Sequence, residues 1–327
     1  GGYILIIFVV KIYPPAEGVN IQVEAAGELE KLTFADQVVS AITVNDFSKL
    51  LSRSNMLPLI VFSILFGYCV SAVGGEDNMV SRALDALSKV MMKFISVIML
   101  YAPIGLGAYF ASLIGEFGPQ LLGGYARAMV VYYPLCVFYF FVFFALYTYY
   151  SGGIEAVKSF FKNIVEPSIT SIATQSSIAT IPAELRAAQR IGVPKDIRDI
   201  IVPIGATAHM DGTVLSSILK ISFLFGIFGM EFSGIGTYLT AIGLSILGGV
   251  VMSGVPGGGL IGEMLIVNMY GFPPEAFPII ATIGFLVDPP ATWLNSTGDT
   301  VAAMMVTRII EGKDWMVKKL TINEEIL

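Results

Sequence analysis

Two stretches far apart in the chain interrupt apolar sequence with Ser and Gly, where a membrane helix would need an unbroken backbone ladder. The first is ATQSSIAT, Ala173 to Thr180, and the second is SGVPGGGLIG, Ser253 to Gly262. Each break leaves several backbone N–H and C=O groups without helical partners. Lipid cannot satisfy them, so such breaks persist only when buried in protein or lining a wet cavity. Paired interruptions in the two halves of a membrane chain point to a transport site, and the chain reads as a solute carrier.

Composition supports the membrane setting. Of 327 residues, 55% are hydrophobic and only 13% charged, with a mean hydropathy of +0.77. A soluble domain carries nearer a quarter charged residues. The chain is therefore read as an all-α, multi-pass integral protein of the cell membrane. No basic patch suggests nucleic-acid binding, and the net charge of −6 says little about partners. Cys69 and Cys136 both lie in apolar runs, where free buried thiols are expected rather than a disulfide framework or metal cluster.

Long apolar runs predict spanning helices near 54–74, 90–115, 125–150, 199–229 and 276–308. Residues 1–13 are too short to cross a bilayer and read as the tail of a spanning helix, with further helices expected upstream. Residues 14–52 read as an extracellular loop with some helix toward its end, and 53–150 as scaffold and trimerisation helices leading into a transport domain. Residues 151–327 make up most of that domain: a hairpin at 154–192, a broken helix at 196–229, a second hairpin at 236–272 and a final helix at 275–312. When each hairpin re-enters on its own side, thirteen Lys and Arg fall on one side and five on the other. The richer side is assigned to the cytoplasm. The first hairpin then dips from the cytoplasm and the second from outside, so their tips meet near the midplane as in an inverted repeat.

Ionisable residues within membrane segments are expensive to bury, and each is a functional candidate. Asp211 lies in GATAHMDGT, Gly205 to Thr213, where Gly, Thr and Asp interrupt a helix and offer oxygens suited to Na⁺. Asp288, Ala291, Thr292, Asn295 and Asp299 recur at three- and four-residue steps, one stripe of a helix. That stripe is expected to face the hairpin tips. His209, the single histidine, reads as a hydrogen-bonded core residue, a proton-sensitive switch or a neighbour of a cation site. Ser176 and Ser177 either receive a carboxylate or simply cap the backbone. Lys220 and Glu263 snorkel, pair or line water, and Trp293 reads as packing.

These motifs resemble the glutamate transporter (dicarboxylate/amino acid:cation symporter) family from about Leu57 onward. The likeness rests on TQSSIATIP (Thr174–Pro182), PIGATAHMDGT (Pro203–Thr213), SGVPGGG (Ser253–Gly259) and NSTGD (Asn295–Asp299), in that order. It implies a glutamate-transporter-like fold with two opposed re-entrant hairpins and two broken helices. It further implies a homotrimer whose transport domains slide as elevators, and co-transported Na⁺. By the resemblance, Gly205, Asn295 and Asp299 form one Na⁺ site. Thr207 forms a second with the carbonyls of Gly249, Val250 and Met252, and Asp211 anchors a third. Ser177, Thr213 and Asn295 would hold the substrate's α-carboxylate and Asp288 its amino group. Ser176, Val255, Pro256, Gly257, Ala291 and Thr292 complete that pocket.

Departures from the family pattern refine the expectation. Members that take aspartate or glutamate hold the side-chain carboxylate with an Arg at the position of Ala291, and His209 replaces a usual Asn. An unpaired substrate carboxylate would cost several kcal/mol to bury. The expected activity is Na⁺-coupled symport of a small neutral amino acid, not an enzymatic reaction. The alternatives are a carrier of acidic amino acids or dicarboxylates using Lys220 or an Arg outside this sequence, a passive ion channel, and, remotely, an intramembrane serine hydrolase using Ser177 with His209 and Asp211. The hydrolase is disfavoured because residues two apart on one helix point in different directions.

Overall fold

The computed structural model describes residues 2–17, 44, 46–51, 56–75, 78–101, parts of 104–115, 120–251 and 259–316. Every regular element among these residues is a helix. Two compact units are formed. One comprises Gly1–Ala25, Gln120–Val267 and Pro273–Leu327, and the other comprises Ala26–Pro119 and Asn268–Phe272.

The smaller unit contains a short 3₁₀ turn at Phe47–Leu51, α2 (Met56–Gly74) and α3 (Met79–Met99). Phe62 joins the turn to α2 by an edge-on contact with Phe47 and stacks on Phe66. Helix α3 begins well before the span expected at 90–115. Its first turns carry Arg82, Asp85 and Lys89, charges that delay an apolar-run reading although they suit a helix with one polar face. Cys69 is exposed on α2, whereas Cys136 is buried. The expectation of two buried thiols is thus corrected for Cys69: an apolar neighbourhood in sequence does not place a residue on the packed side of a helix.

The larger unit holds α1 (Gly2–Ile12), α4 (Gln120–Asn163), α5 (Val165–Thr174), α6 (Ser177–Ile191), α7 (Lys195–Ala208), α8 (Asp211–Ile227), α9 (Ile235–Val251), α10 (Gly259–Tyr270) as far as Val267, and α11 (Ala276–Glu311). Helix α11 is its hub, packing against α4, α5, α6, α7 and α8. Helix α4 breaks at Gly152 and Gly153, where Gly153 has φ +72° and ψ −162°. That conformation is open to Gly alone, so the run after it forms a separate leg.

Helices α5 and α6 pack together as an antiparallel hairpin with a very short tip. Gln175 adopts a left-handed conformation with φ 51°, and Ser176 is extended. The open end is clasped by Glu166, which accepts from Arg186 at 2.7 Å and from Arg190 at 3.1 Å. Helix α6 ends at Gly192, whose N–H bonds the Ala188 and Gln189 carbonyls while Val193 N–H returns to Ala188. This left-handed glycine stop, followed by Pro194, resets the chain for α7.

The final helix departs from the expected pair of broken helices. Helix α11 runs unbroken from Ala276 to Glu311 through Pro289 and Pro290. A proline removes the N–H that would bond the carbonyl four residues back. The carbonyl released by Pro290 is that of Leu286, and the Tyr133 hydroxyl of α4 donates to it at 2.8 Å. A side chain from a neighbouring helix thus replaces the missing backbone bond. Among the described residues, three stretches, Leu121–Asn163, Lys195–Ile227 and Ala276–Glu311, are long and apolar enough to cross a membrane.

Candidate functional site

The site grows from the interruption between α7 and α8, where His209 and Met210 leave helical geometry. The first N–H groups of any helix lack partners in their own ladder. Asn295, from the middle of α11, supplies them for α8. Its Oδ1 accepts from Gly212 N–H at 2.8 Å and Thr213 N–H at 3.3 Å. Its Nδ2 donates to Thr213 Oγ1 at 2.9 Å and to Met210 Sδ at 3.3 Å. A cap normally comes from the residue before the helix; here it comes from another helix. The two backbones approach closely enough that a Cβ on Gly212 would overlap the Ala291 backbone. Tyr132 of α4 fixes the same turn by donating to the Gly212 carbonyl at 2.6 Å.

On one side of Asn295 lies an acidic chamber. Asp299 is fully buried, and neither of its carboxylate oxygens has a hydrogen-bond partner among the described residues. His209 stands between the two aspartates. Its Nδ1 is 3.3 Å from Asp299 Oδ1, close without being aligned to bond, and its Nε2 is 3.5 Å from Asp211 Oδ2. Asp211 Oδ2 also accepts from the Tyr139 hydroxyl at 2.9 Å. Space for this crowding comes from glycines. A Cβ on Gly205 would sit 2.5 Å from Asp299 Oδ1, and one on Gly298 would overlap the imidazole.

Ser296 Oγ, Thr300 Oγ1 and both carboxylate oxygens of Glu184 are also buried with no well-aligned hydrogen bond among the described residues, although the Ser296 hydroxyl lies beside Glu184. Native structures rarely leave such groups unsatisfied, and an ion is one of the recognised explanations. Carboxylates and hydroxyls without soft ligands suit a hard cation. The residues present therefore fit Na⁺.

On the other side of Asn295 opens a cleft. Asp288 and Ala291 of α11, Thr213, Ser216 and Lys220 of α8, and Glu263 of α10 line it. Asp288 Oδ1 accepts from the Thr292 hydroxyl at 3.1 Å. Lys220 Nζ donates to Glu263 Oε1 at 2.8 Å, so pairing is the alternative realised for these two. The acidic stripe is one helix face, as its spacing predicts, yet it serves two places. Asp288 and Ala291 face the cleft, Asp299 faces the chamber, and Asn295 joins them.

Other expected residues distribute unevenly. Ser176 caps α6, its Oγ accepting from Ala179 N–H at 3.3 Å, while Ser177 is the buried first residue of that helix. Thr207 is exposed and its hydroxyl donates to the Ile204 carbonyl at 2.9 Å. Gly249 lies against Met210 and Val214, and Val250 continues the α9 backbone. Met252, Val255, Pro256 and Gly257, with the rest of the second tip as far as Gly258, lie outside the described residues. Trp293 packs on Phe140, ring centroids 4.3 Å apart, in agreement with a packing role.

The expectation that His209 and Asp211 point apart is overturned. The helix breaks between them and turns them face to face. The imidazole nitrogens meet Asp211, Asp299 and the Asn295 carbonyl, which leaves none for Ser177 and no nucleophile–base pair. Sequence reasoning missed Glu184 and Tyr139. Glu184 sits beside Arg186 and looks like an interfacial charge. Its seven-residue spacing from Ser177 was the available signal, because two turns place both on one face.

The sequence model of the sodium:dicarboxylate symporter family matches residues 2–309. Similar curated proteins include the proton/sodium-glutamate symport protein of Bacillus subtilis (strain 168), 25% identical over 307 residues, covering 91% of this chain and 71% of the relative. Excitatory amino acid transporter 2 of Mus musculus is 26% identical over 303 residues, covering 91% of this chain and 52% of the relative. The C4-dicarboxylate transport protein of Janthinobacterium sp. (strain Marseille) is 24% identical over 321 residues, covering 94% and 72%. The match runs through the broken helix, the first hairpin and the acidic stripe of α11 alike. This is a transport protein rather than an enzyme, and it belongs to the sodium:dicarboxylate symporter family.

Proposed function

We propose that the chain is a secondary carrier that moves a small neutral amino acid together with Na⁺ across the cell membrane. Asp299 carries this reading. A fully buried carboxylate with no aligned hydrogen bond among the described residues, and only the His209 imidazole close by at 3.3 Å, is costly by several kcal/mol unless a counter-charge accompanies it. Gly205 packs against it, Ser296 and Thr300 bring buried hydroxyls from the same helix, and His209 and Asp211 complete the chamber. Na⁺ arriving there as cargo removes the penalty and tightens the Asn295 connection to the cleft. The coupling named in the relatives, sodium or proton with glutamate, fits a cation-driven cycle.

In the cleft, Asp288 receives the amino group, and the first turn of α8 with Thr213 and Ser177 receives the α-carboxylate. Thr213 and Asn295 bond each other in this structure, so substrate binding exchanges that bond for one to the carboxylate. The α5–α6 hairpin re-enters the membrane from the cytoplasm, and α9 and α10 form the second, opposed hairpin. Together with α7, α8 and α11 they form the body that slides as an elevator against a homotrimeric scaffold. Exposed apolar side chains on α2 and α3, such as Leu65 and Leu87, suit lipid or a neighbouring subunit.

A second reading, an acidic amino acid or C4-dicarboxylate carrier, draws on the substrates in the relatives' names and on the Lys220 ammonium in the cleft. It is the weaker reading because Lys220 is already paired with Glu263, and Ala291 supplies no cation. Proteoliposome uptake decides between them. Labelled serine or alanine should enter only with an inward Na⁺ gradient, and unlabelled serine should compete better than aspartate. Uptake indifferent to Na⁺ would sink the coupling, and stronger competition by aspartate would sink the neutral substrate.

A further inference from the structure

Lys220 is the one Lys or Arg that the sequence places mid-span, and Glu263 follows the second tip in apolar sequence. In the structure their side chains are 4% and 1% exposed and joined at 2.8 Å. Lys220 shares the α8 stripe of Thr213 and Ser216, at steps of three and four residues, so it faces the cleft. Gly284 of α11 makes room for its partner, since a Cβ there would overlap the Glu263 carboxyl group. The pair thus forms the wall of the cleft beside Asp288 and Ala291.

A buried ion pair is weak evidence for stability, because desolvation offsets most of the attraction. Its hydrogen-bonding capacity is more informative. An ammonium has three donors, and Lys220 directs one to Glu263 Oε1. Glu263 Oε2 has no partner among the described residues although it is buried. The wall therefore offers spare donors next to one spare acceptor. A hydroxyl or carboxamide satisfies both at once. An aliphatic group satisfies neither, and a carboxylate would add a third anion to Glu263 and Asp288 around a single ammonium.

We propose that the buried Lys220–Glu263 pair is the side-chain selector of the cleft, choosing amino acids whose side chain both donates and accepts a hydrogen bond. The selector rests on the neutral-substrate reading and names its class: serine and threonine, or asparagine and glutamine, ahead of alanine or valine. Glu263 acts in it as negative discrimination, holding the ammonium so that an acidic side chain cannot claim it.

The test is Na⁺-dependent ligand binding to the full-length carrier, read by thermal shift and uptake competition with serine, threonine, asparagine, alanine and aspartate. The unmodified protein should prefer the hydrogen-bonding group over alanine by roughly tenfold or more. Glu263→Gln should release the ammonium, raising aspartate affinity by about tenfold or more while serine weakens. Lys220→Met combined with Glu263→Gln keeps the wall uncharged and should close the gap between serine and alanine, even if the single variant fails to fold. Neutral preference in the unmodified protein with the same ranking in a folded double variant overturns the selector alone. Preference for aspartate in the unmodified protein overturns the neutral reading itself.

Discussion

Asp288 and Asp299 lie on one helix face yet line different places, the cleft and the chamber, and on the proposed reading exchanging each carboxylate for its amide separates their roles. Asp299→Asn should weaken Na⁺ binding by at least about tenfold and affect amino-acid binding only through Na⁺. Asp288→Asn should do the reverse, and equal losses of both ligands in either variant would contradict the division. His209 adds a pH dependence. A protonated imidazole held 3.3 Å and 3.5 Å from the two aspartates competes with a cation for the same charge. Na⁺ affinity should therefore fall as pH drops, by up to about tenfold per pH unit once protonation dominates. His209→Asn should flatten that slope, and an unchanged slope would remove the histidine from the account. These positions show how far single residues were legible. The acids stood out because charge in apolar sequence is rare. The meeting of His209 with Asp211 did not, because it depends on a helix break whose geometry no spacing rule supplies.

Among the elements, α4 satisfies backbone groups of its neighbours through tyrosine hydroxyls. Tyr132 bonds the first turn of α8, and Tyr133 bonds the carbonyl that Pro290 releases in α11. In lipid the Leu286 carbonyl has no alternative partner. Tyr133→Phe should therefore destabilise the fold by about 1–3 kcal/mol, the usual penalty for a stranded polar group. Unfolding temperature in detergent measures this, and an unaffected protein would mean that another group reaches that carbonyl. The same residues explain how the final helix stays continuous where the family resemblance implied a break. A Pro–Pro pair at 289–290 normally ends a helix, and only a tertiary contact from a distant segment rescues it. The first tip was legible for the opposite reason. Ser176 and Ser177 carry local capping chemistry that needs no outside help, although the turn proves shorter than the eight-residue motif suggested.

For the molecule as a whole, the proposed sidedness follows from the Lys and Arg tally and has a direct check. In a protein with Cys69 and Cys136 replaced by Ser, Lys195→Cys should react with a membrane-impermeant maleimide only from the cytoplasmic side. Arg127→Cys should react only from outside, and the reverse pattern would invert the proposed orientation. The all-helical class was legible from composition, and the larger unit's hub was foreshadowed by the acidic stripe of α11. The bounds of the two units were not, because they depend on which apolar faces find each other. One detail of that hub reaches across the whole molecule. A lone carboxamide, Asn295, latches the mouth of one helix to the waist of another. On the proposed reading, ion and cargo tug at opposite ends of that latch, so neither can settle without the other feeling it, and tight stoichiometry needs no long relay.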